Sequence, residues 1–110
     1  MKLSHLHLNV EDLAAAVAWF RDIGQLAPTF QNERMASIPV AGFTLILDRA
    51  ERDAAATVAF ATDDCDRLYQ SLLARGAKSF AAPETLNWGA RAAYLQGPGQ
   101  LTIELEQALT

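Results

Sequence analysis

LHLNVEDL (residues 6–13) and VAFATDDC (residues 58–65) decide how this chain folds, because the second stretch repeats the first in both pattern and punctuation. Laid over one another, they set Leu8 on Phe60 and Asp12 on Asp64, and the same offset sets Gly24 on Gly76. In the first copy Leu6, Leu8 and Val10 fall on one face of an extended segment and His5, His7 and Asn9 on the other. That two-residue period belongs to a strand with one apolar side. Beyond Asp12 the period lengthens. Leu13, Val17, Phe20 and Ile23 lie near one stripe, which predicts a helix over residues 12–23 with an aspartate at its start and Gly24 as its stop signal. The second copy predicts a strand over 57–62, then a helix over 63–75 with Leu68 and Leu72, joined by Tyr69, inward and Gly76 ending it.

Outward from these copies the pattern continues to match. Pro28, Asn32, Pro39 and Ala41-Gly42 punctuate strand candidates over 26–31, 34–40 and 43–48, and residues 49–55 read as a connector. In the second half, strands are expected over 78–82, 91–96 and 101–106. FTLIL (43–47) lies over LTIEL (101–105) at a longer offset, which a longer loop around residues 85–89 would absorb. The expectation is an α+β fold of two βαβββ modules, about 1–50 and 56–110, within a single domain, since 110 residues hold one core of ordinary size. A helix covers one face of each half-sheet and leaves the other open, so the modules are expected to form a curved mixed sheet around a cleft.

The formal charge of −4, with nine Lys and Arg scattered along the chain, lacks the basic footprint of a nucleic-acid binder. The opening MKLSHLHLNVED reaches histidines and carboxylates too early for a signal peptide. No apolar run approaches the length of a membrane span, so a cytoplasmic protein is expected. Cys65 is the only cysteine and sits among Asp63, Asp64 and Asp66, whose charges disfavour a thiolate. The serines lack a relay partner, and GPG at 97–99 is a strand turn rather than a phosphate loop.

The stretches HLHLNVEDLAAAVAWFRDIG (5–24) and NWGARAAYLQGPGQLTIELEQ (87–107) resemble the vicinal oxygen chelate superfamily, which contains glyoxalase I, extradiol dioxygenases, fosfomycin-resistance enzymes and bleomycin-resistance binding proteins. The first has the family's His-x-x-x-x-Val-x-Asp-Leu opening and the aromatic pair Trp19-Phe20. The second has its Gly-Pro turn and the Glu of Ile-Glu-Leu. Gly24-Gln25 replaces the family's Leu-Gly after the first helix, and Gly97 and Gly99 stand for aspartates at the final turn.

By that resemblance, the four metal-ligand positions of the metal-dependent members are His5, Ile46, Thr57 and Glu104. A catalytic divalent metal needs about three donors with an open position, and Ile46 cannot ligate. The resemblance therefore implies a metal-independent, small-molecule binding protein of the bleomycin-resistance type, with no cofactor, sequestering a planar or cationic compound as part of antibiotic resistance. The rival is a divergent lyase, isomerase or dioxygenase with a divalent metal on His5 and Glu104, and on His7 at a displaced site. Metal-free acid–base work by Glu104 and the histidines is a third reading. The expected ligand-binding residues are His5, His7, Phe30, Met35, Thr57, Trp88, Tyr94 and Glu104. A carboxylate on an interior strand requires a partner, for which His5, Arg91, water or a cationic ligand are candidates. Trp88, in a loop with Gly89 behind it, is either a stacking surface or a lid. Neither nucleic acid nor membrane is an expected partner, and family members imply a homodimer.

Overall fold

The computed structural model describes residues 1–109, so Thr110 lies outside the described residues. The order of elements is β1 (His5–Val10), α1 (Leu13–Ala18) continued by a π-helical turn (Trp19–Ile23), β2 (Phe30–Gln31), β3 (Met35–Val40), β4 (Phe43–Arg49), β5 (Ala56–Ala61), α2 (Cys65–Ala74), β6 (Lys78–Leu86), β7 (Ala90–Gln96) and β8 (Leu101–Ala108). Two compact units divide it, Met1–Ala54 and Ala55–Thr110. Each is a βαβββ module in an α+β architecture, and each contains its own four-stranded mixed sheet. In the first the strand order is β1-β4-β3-β2, and in the second β5-β8-β7-β6. In both units the first strand runs parallel to the last and the remaining pairs are antiparallel.

The helices start as the repeat predicts. Asp12 accepts a hydrogen bond from the Ala15 amide at 2.9 Å, and Asp64 accepts one from Arg67 at 3.1 Å. Each carboxylate thus satisfies one of the amides that a first helical turn leaves unpaired.

The helix ends differ. After α2 the backbone turns left-handed at Gly76, φ +108°, with the Gly76 and Ala77 amides bonded back to Leu73 and Leu72, the Schellman arrangement. After α1 the turn widens: the Gly24 amide reaches Trp19 and the Leu26 amide reaches Phe20. This inserts one residue, and the left-handed position falls on Gln25 at φ +55°. Gly24 thus follows the last helical residue, Ile23, as expected of a stop signal, but is not itself the left-handed residue. What it supplies is the absence of a Cβ, which would stand 2.9 Å from the Phe20 carbonyl oxygen.

Each helix packs on one face of its sheet. In the first unit Leu8, Val10, Leu13, Val17, Phe20, Ile38, Leu45 and Leu47 are buried, and in the second Val58, Tyr69, Leu72, Leu95, Leu101, Ile103 and Leu105. Each large aliphatic or aromatic chain in these cores contributes about 1.5–3 kcal/mol by leaving water. Tyr69 is inward as expected, and its burial is tolerated because its hydroxyl bonds Ser79 Oγ at 2.7 Å.

Two strand expectations need correction. β2 is only two residues long, because Pro28 and the turn around Asn32 leave little that can pair with β3. The longer loop expected at 85–89 is instead a longer hairpin. β6 runs to Leu86 with register shifts between Ser79 and Glu84, and only Asn87–Gly89 turn the chain back.

Candidate functional site

Residues directly paired across a ladder share a face, so the registers say which side chains meet on the uncovered side of each sheet. In the first unit, one row runs Phe30, Ser37, Ile46, His7, and the next runs Met35, Asp48, Asn9. His5 lies in the neighbouring row beside Thr44. Four of the expected ligand residues, His5, His7, Phe30 and Met35, thus share the open face of the first sheet. Phe30 is half exposed at 52%, and Met35 is partly covered.

The first sheet also holds a contact that reading the residues missed. His7 Nδ1 lies 2.7 Å from Asp48 Oδ2, the two being diagonal neighbours on β1 and β4. His5 Nδ1 lies 2.9 Å from Ser4 Oγ, and the two imidazole rings stand edge to face with centroids 5.1 Å apart. An Asp48–His7 pair could be found from sequence only by fixing the parallel register of β1 on β4.

On the second sheet the rows are Ala81, Tyr94, Glu104, Ala59, then Glu84, Ala92, Glu106, Ala61, then Lys78, Gln96, Thr102, Thr57. Thr57, Tyr94 and Glu104 therefore share its open face, with Thr57 exposed and the other two partly covered. Burial holds the Glu104 carboxyl above its ordinary pKa. The charge of Glu106 on the same face and a hydrogen bond between the two side chains raise it further. Burial and the same two carboxylates raise the Tyr94 phenol. Among the described residues no cation forms an ion pair with Glu104 or Glu106.

Arg91 does not meet Glu104. It stands on the helix-covered face, where Nε and Nη2 donate to Asp66 at 2.6 and 2.9 Å and Nη1 to Thr85 at 3.0 Å. The cause is parity: Arg91 and Tyr94 are three residues apart on β7 and so project to opposite sides. Trp88 lies at the β6–β7 turn and is 66% exposed. Cys65 is buried with its thiol raised, first by that burial and then by Asp66 and Asp64.

The repeat registers also test the metal positions of the family. Ile46 and Glu104 are equivalent residues on β4 and β8, and the residues directly beside them on the first strands are His7 and Ala59. His5 and Thr57 lie one pleat away. A hydrocarbon at Ile46 and a neutral hydroxyl at Thr57 leave too few donors for the metal centre of the enzymes. Among the described residues no three His, Cys, Asp or Glu side chains come together as a ligand set. The family's metal therefore does not fit this donor set. An open concavity at the start of α1, lined by Glu11, Asp12, Gln31, Glu33 and Arg49 among others, contains none of the expected ligand residues.

Comparison with known proteins agrees with the architecture. The curated proteins offer no match to the chain. Among solved structures, a glyoxalase/bleomycin resistance protein/dioxygenase from Nocardioides superposes with a TM-score of 0.86 at 23% identity, covering 99% of this chain and 84% of that one. The bleomycin resistance determinant encoded on transposon Tn5 gives a TM-score of 0.81 at 17% identity, with complete coverage (100%) of both chains. Lactoylglutathione lyase from Agrobacterium tumefaciens gives 0.81 at 18%, covering 96% and 92%. At these identities the likeness is one of fold. No helix among the described residues is long and apolar enough to cross a membrane. The sequence profile of the Glyoxalase/Bleomycin resistance protein/Dioxygenase superfamily matches residues 2–105, and the chain belongs to that superfamily.

Proposed function

We propose that this chain is a metal-independent small-molecule binding protein of the bleomycin-resistance type, which sequesters a planar or cationic compound, acts in the cytoplasm and works as a homodimer. One observation carries the reading. Glu104, partly buried on an open sheet face, has a second carboxylate, Glu106, beside it and forms no ion pair with a cation among the described residues. Two neighbouring carboxylates repel each other and are poorly solvated there, so a bound cation would relieve both costs. Tyr94, directly across the ladder from Glu104, offers a ring face for a planar group. Ile46, in a metal-ligand position of the enzymes, supports the metal-independent part.

The test is calorimetric titration of the whole chain with bleomycin and a panel of planar organic cations, followed in parallel by tryptophan fluorescence. A saturable heat that weakens at least tenfold in Glu104→Gln is the expected result. No saturable heat across the panel together with unchanged fluorescence would overturn the reading. Light scattering on the eluting peak checks the homodimer by its mass.

A further inference from the structure

The two helix starts are built alike but fastened to their sheets differently. In the second unit Gln107 on β8 accepts the Cys65 amide at 2.9 Å, and Asp66 in the first turn of α2 takes Arg91 of β7 through both of its oxygens. Two side-chain acceptors thus close that helix start onto its sheet, and the arginine there is paired. The offsets that set Asp12 on Asp64 and Ile46 on Glu104 put Ala14 in the place of Asp66 and Arg49 in the place of Gln107. Arg34 takes the place of Arg91. Its carbonyl accepts the Arg49 amide at 2.8 Å, and Arg91 likewise lies directly across the ladder from Gln107. The first unit has therefore lost both acceptors and gained a second arginine.

Residues opposed across an antiparallel ladder stand about 5 Å apart at their Cα atoms, and like charges so placed destabilise the pair. Among the described residues neither Arg34 nor Arg49 forms an ion pair, and both are exposed. Space opens where the fastening contacts are missing. α2 packs on β6, β7 and β8, whereas α1 packs chiefly on β3 and β4, and β2 is only two residues long. This leaves an open concavity of about 940 Å³ between residues 11–14, the β2–β3 turn and the end of β4, within the size range of small-molecule sites.

Arg49 lines the concavity together with Glu11 and Glu33. Asp12 lines it too, but its carboxylate already accepts the Ala15 amide. Guanidinium and carboxylates thus border one space without pairing across it. A simple anion is repelled there by the carboxylates and a simple cation by the arginines. A molecule bearing both charges satisfies both.

We infer that this concavity binds a small zwitterion, a free amino acid, with its carboxylate on Arg49 and Arg34 and its ammonium on Glu33 and Glu11. The planar fork of an arginine matches a carboxylate through two parallel hydrogen bonds. Arg49 projects to the helix-covered side of the first sheet, as does its buried neighbour Val10 on β1. The site is therefore apart from the open faces that bear His7 and Glu104, and its ligand differs from that of the proposed function.

The experiment titrates the full chain with L-glutamine, L-leucine and L-lysine, and in parallel with sodium acetate and methylammonium chloride, following backbone amide NMR shifts. The expected result is saturable shifts centred on residues 11–14, 31–34 and 49 with at least one amino acid, and binding at least tenfold weaker for both single-charge probes. Arg49→Gln installs the residue of the second unit and removes the guanidinium. Ala14→Asp restores the carboxylate that Asp66 supplies to Arg91, so that Arg34 is engaged within the chain. Each is expected to weaken amino-acid binding at least tenfold, and unchanged circular dichroism confirms that both variants fold. The inference is overturned by the absence of saturable shifts with all three amino acids, by acetate or methylammonium binding as tightly as they do, by shifts centred elsewhere, or by wild-type affinity in either variant.

Discussion

Glu104 is the residue whose chemistry departs most from what its type alone implies. Its pKa is raised in the folded chain by burial first and by Glu106 second, so the folded state retains this proton more tightly than the unfolded state. The stabilising form is therefore fully populated below the ordinary glutamate pKa of about 4.3. Stability is lost as pH rises from there through the raised value in the fold. Glu104→Gln removes the charge and keeps the shape, so its melting temperature should exceed that of the wild type at pH 7.5, with the gap closing by pH 4. Thermal unfolding at both values checks this, and equal melting at pH 7.5 would contradict it. The position of Glu104 was legible because Ile103 and Leu105 fix the parity of β8. Arg91 was not legible, since Ala90, Ala92 and Ala93 around it give no alternation to read. His7 and Asp48 are 41 residues apart, and only the register of β1 on β4 makes them neighbours.

At the scale of the element, the two helix starts were readable and the two helix ends only half so. Asp12 and Asp64 each cap one amide, so Asp12→Ala and Asp64→Ala are each expected to cost about 1 kcal/mol, read from urea midpoints at unchanged slope. The ends carry the same kind of test. Gly76 at φ +108° and Gln25 at φ +55° both occupy left-handed backbone, where a Cβ costs roughly 1–2 kcal/mol. Gly76→Ala should destabilise by about that amount, whereas Gln25→Gly should be neutral or stabilising. Gly24→Ala should also destabilise, for a different reason, since its Cβ would press on the Phe20 carbonyl. A glycine stop at each helix suggested one mechanism, but the π-helical turn moves the left-handed residue one place onward in the first unit. That shift depends on how Trp19 and Phe20 seat, their rings edge to face at 5.2 Å with Phe20 fully buried. Hydrophobic period alone does not encode it.

Across the whole chain, the repeat was the most readable feature because it leaves several independent marks: strand parity, capping aspartates and a matched closing strand. The chemistry is harder to read because the units have diverged where their folds have not. Equivalent positions bear His7 and Ala59 on the first strands, and Ile46 and Glu104 on the last. One open face thus presents imidazoles and the other carboxylates. The carboxylate face carries Glu84, Glu104 and Glu106 in adjacent rows, on a chain whose formal charge is already −4. Such a distribution raises the local concentration of cations and speeds their association. If the ligand is cationic, its association rate in stopped-flow mixing should fall steeply as salt shortens the Debye length from about 30 Å at 0.01 M to about 8 Å at 0.15 M. Dissociation should change far less, because the contacts made with Glu104 and Tyr94 in the complex are short-ranged. Glu84→Gln, at the outer edge of the face, should lower the association rate and its salt slope while leaving dissociation nearly unchanged. Glu104→Gln should instead accelerate dissociation. An association rate indifferent to salt would mean that the ligand is held by the aromatic surface and not by the carboxylates.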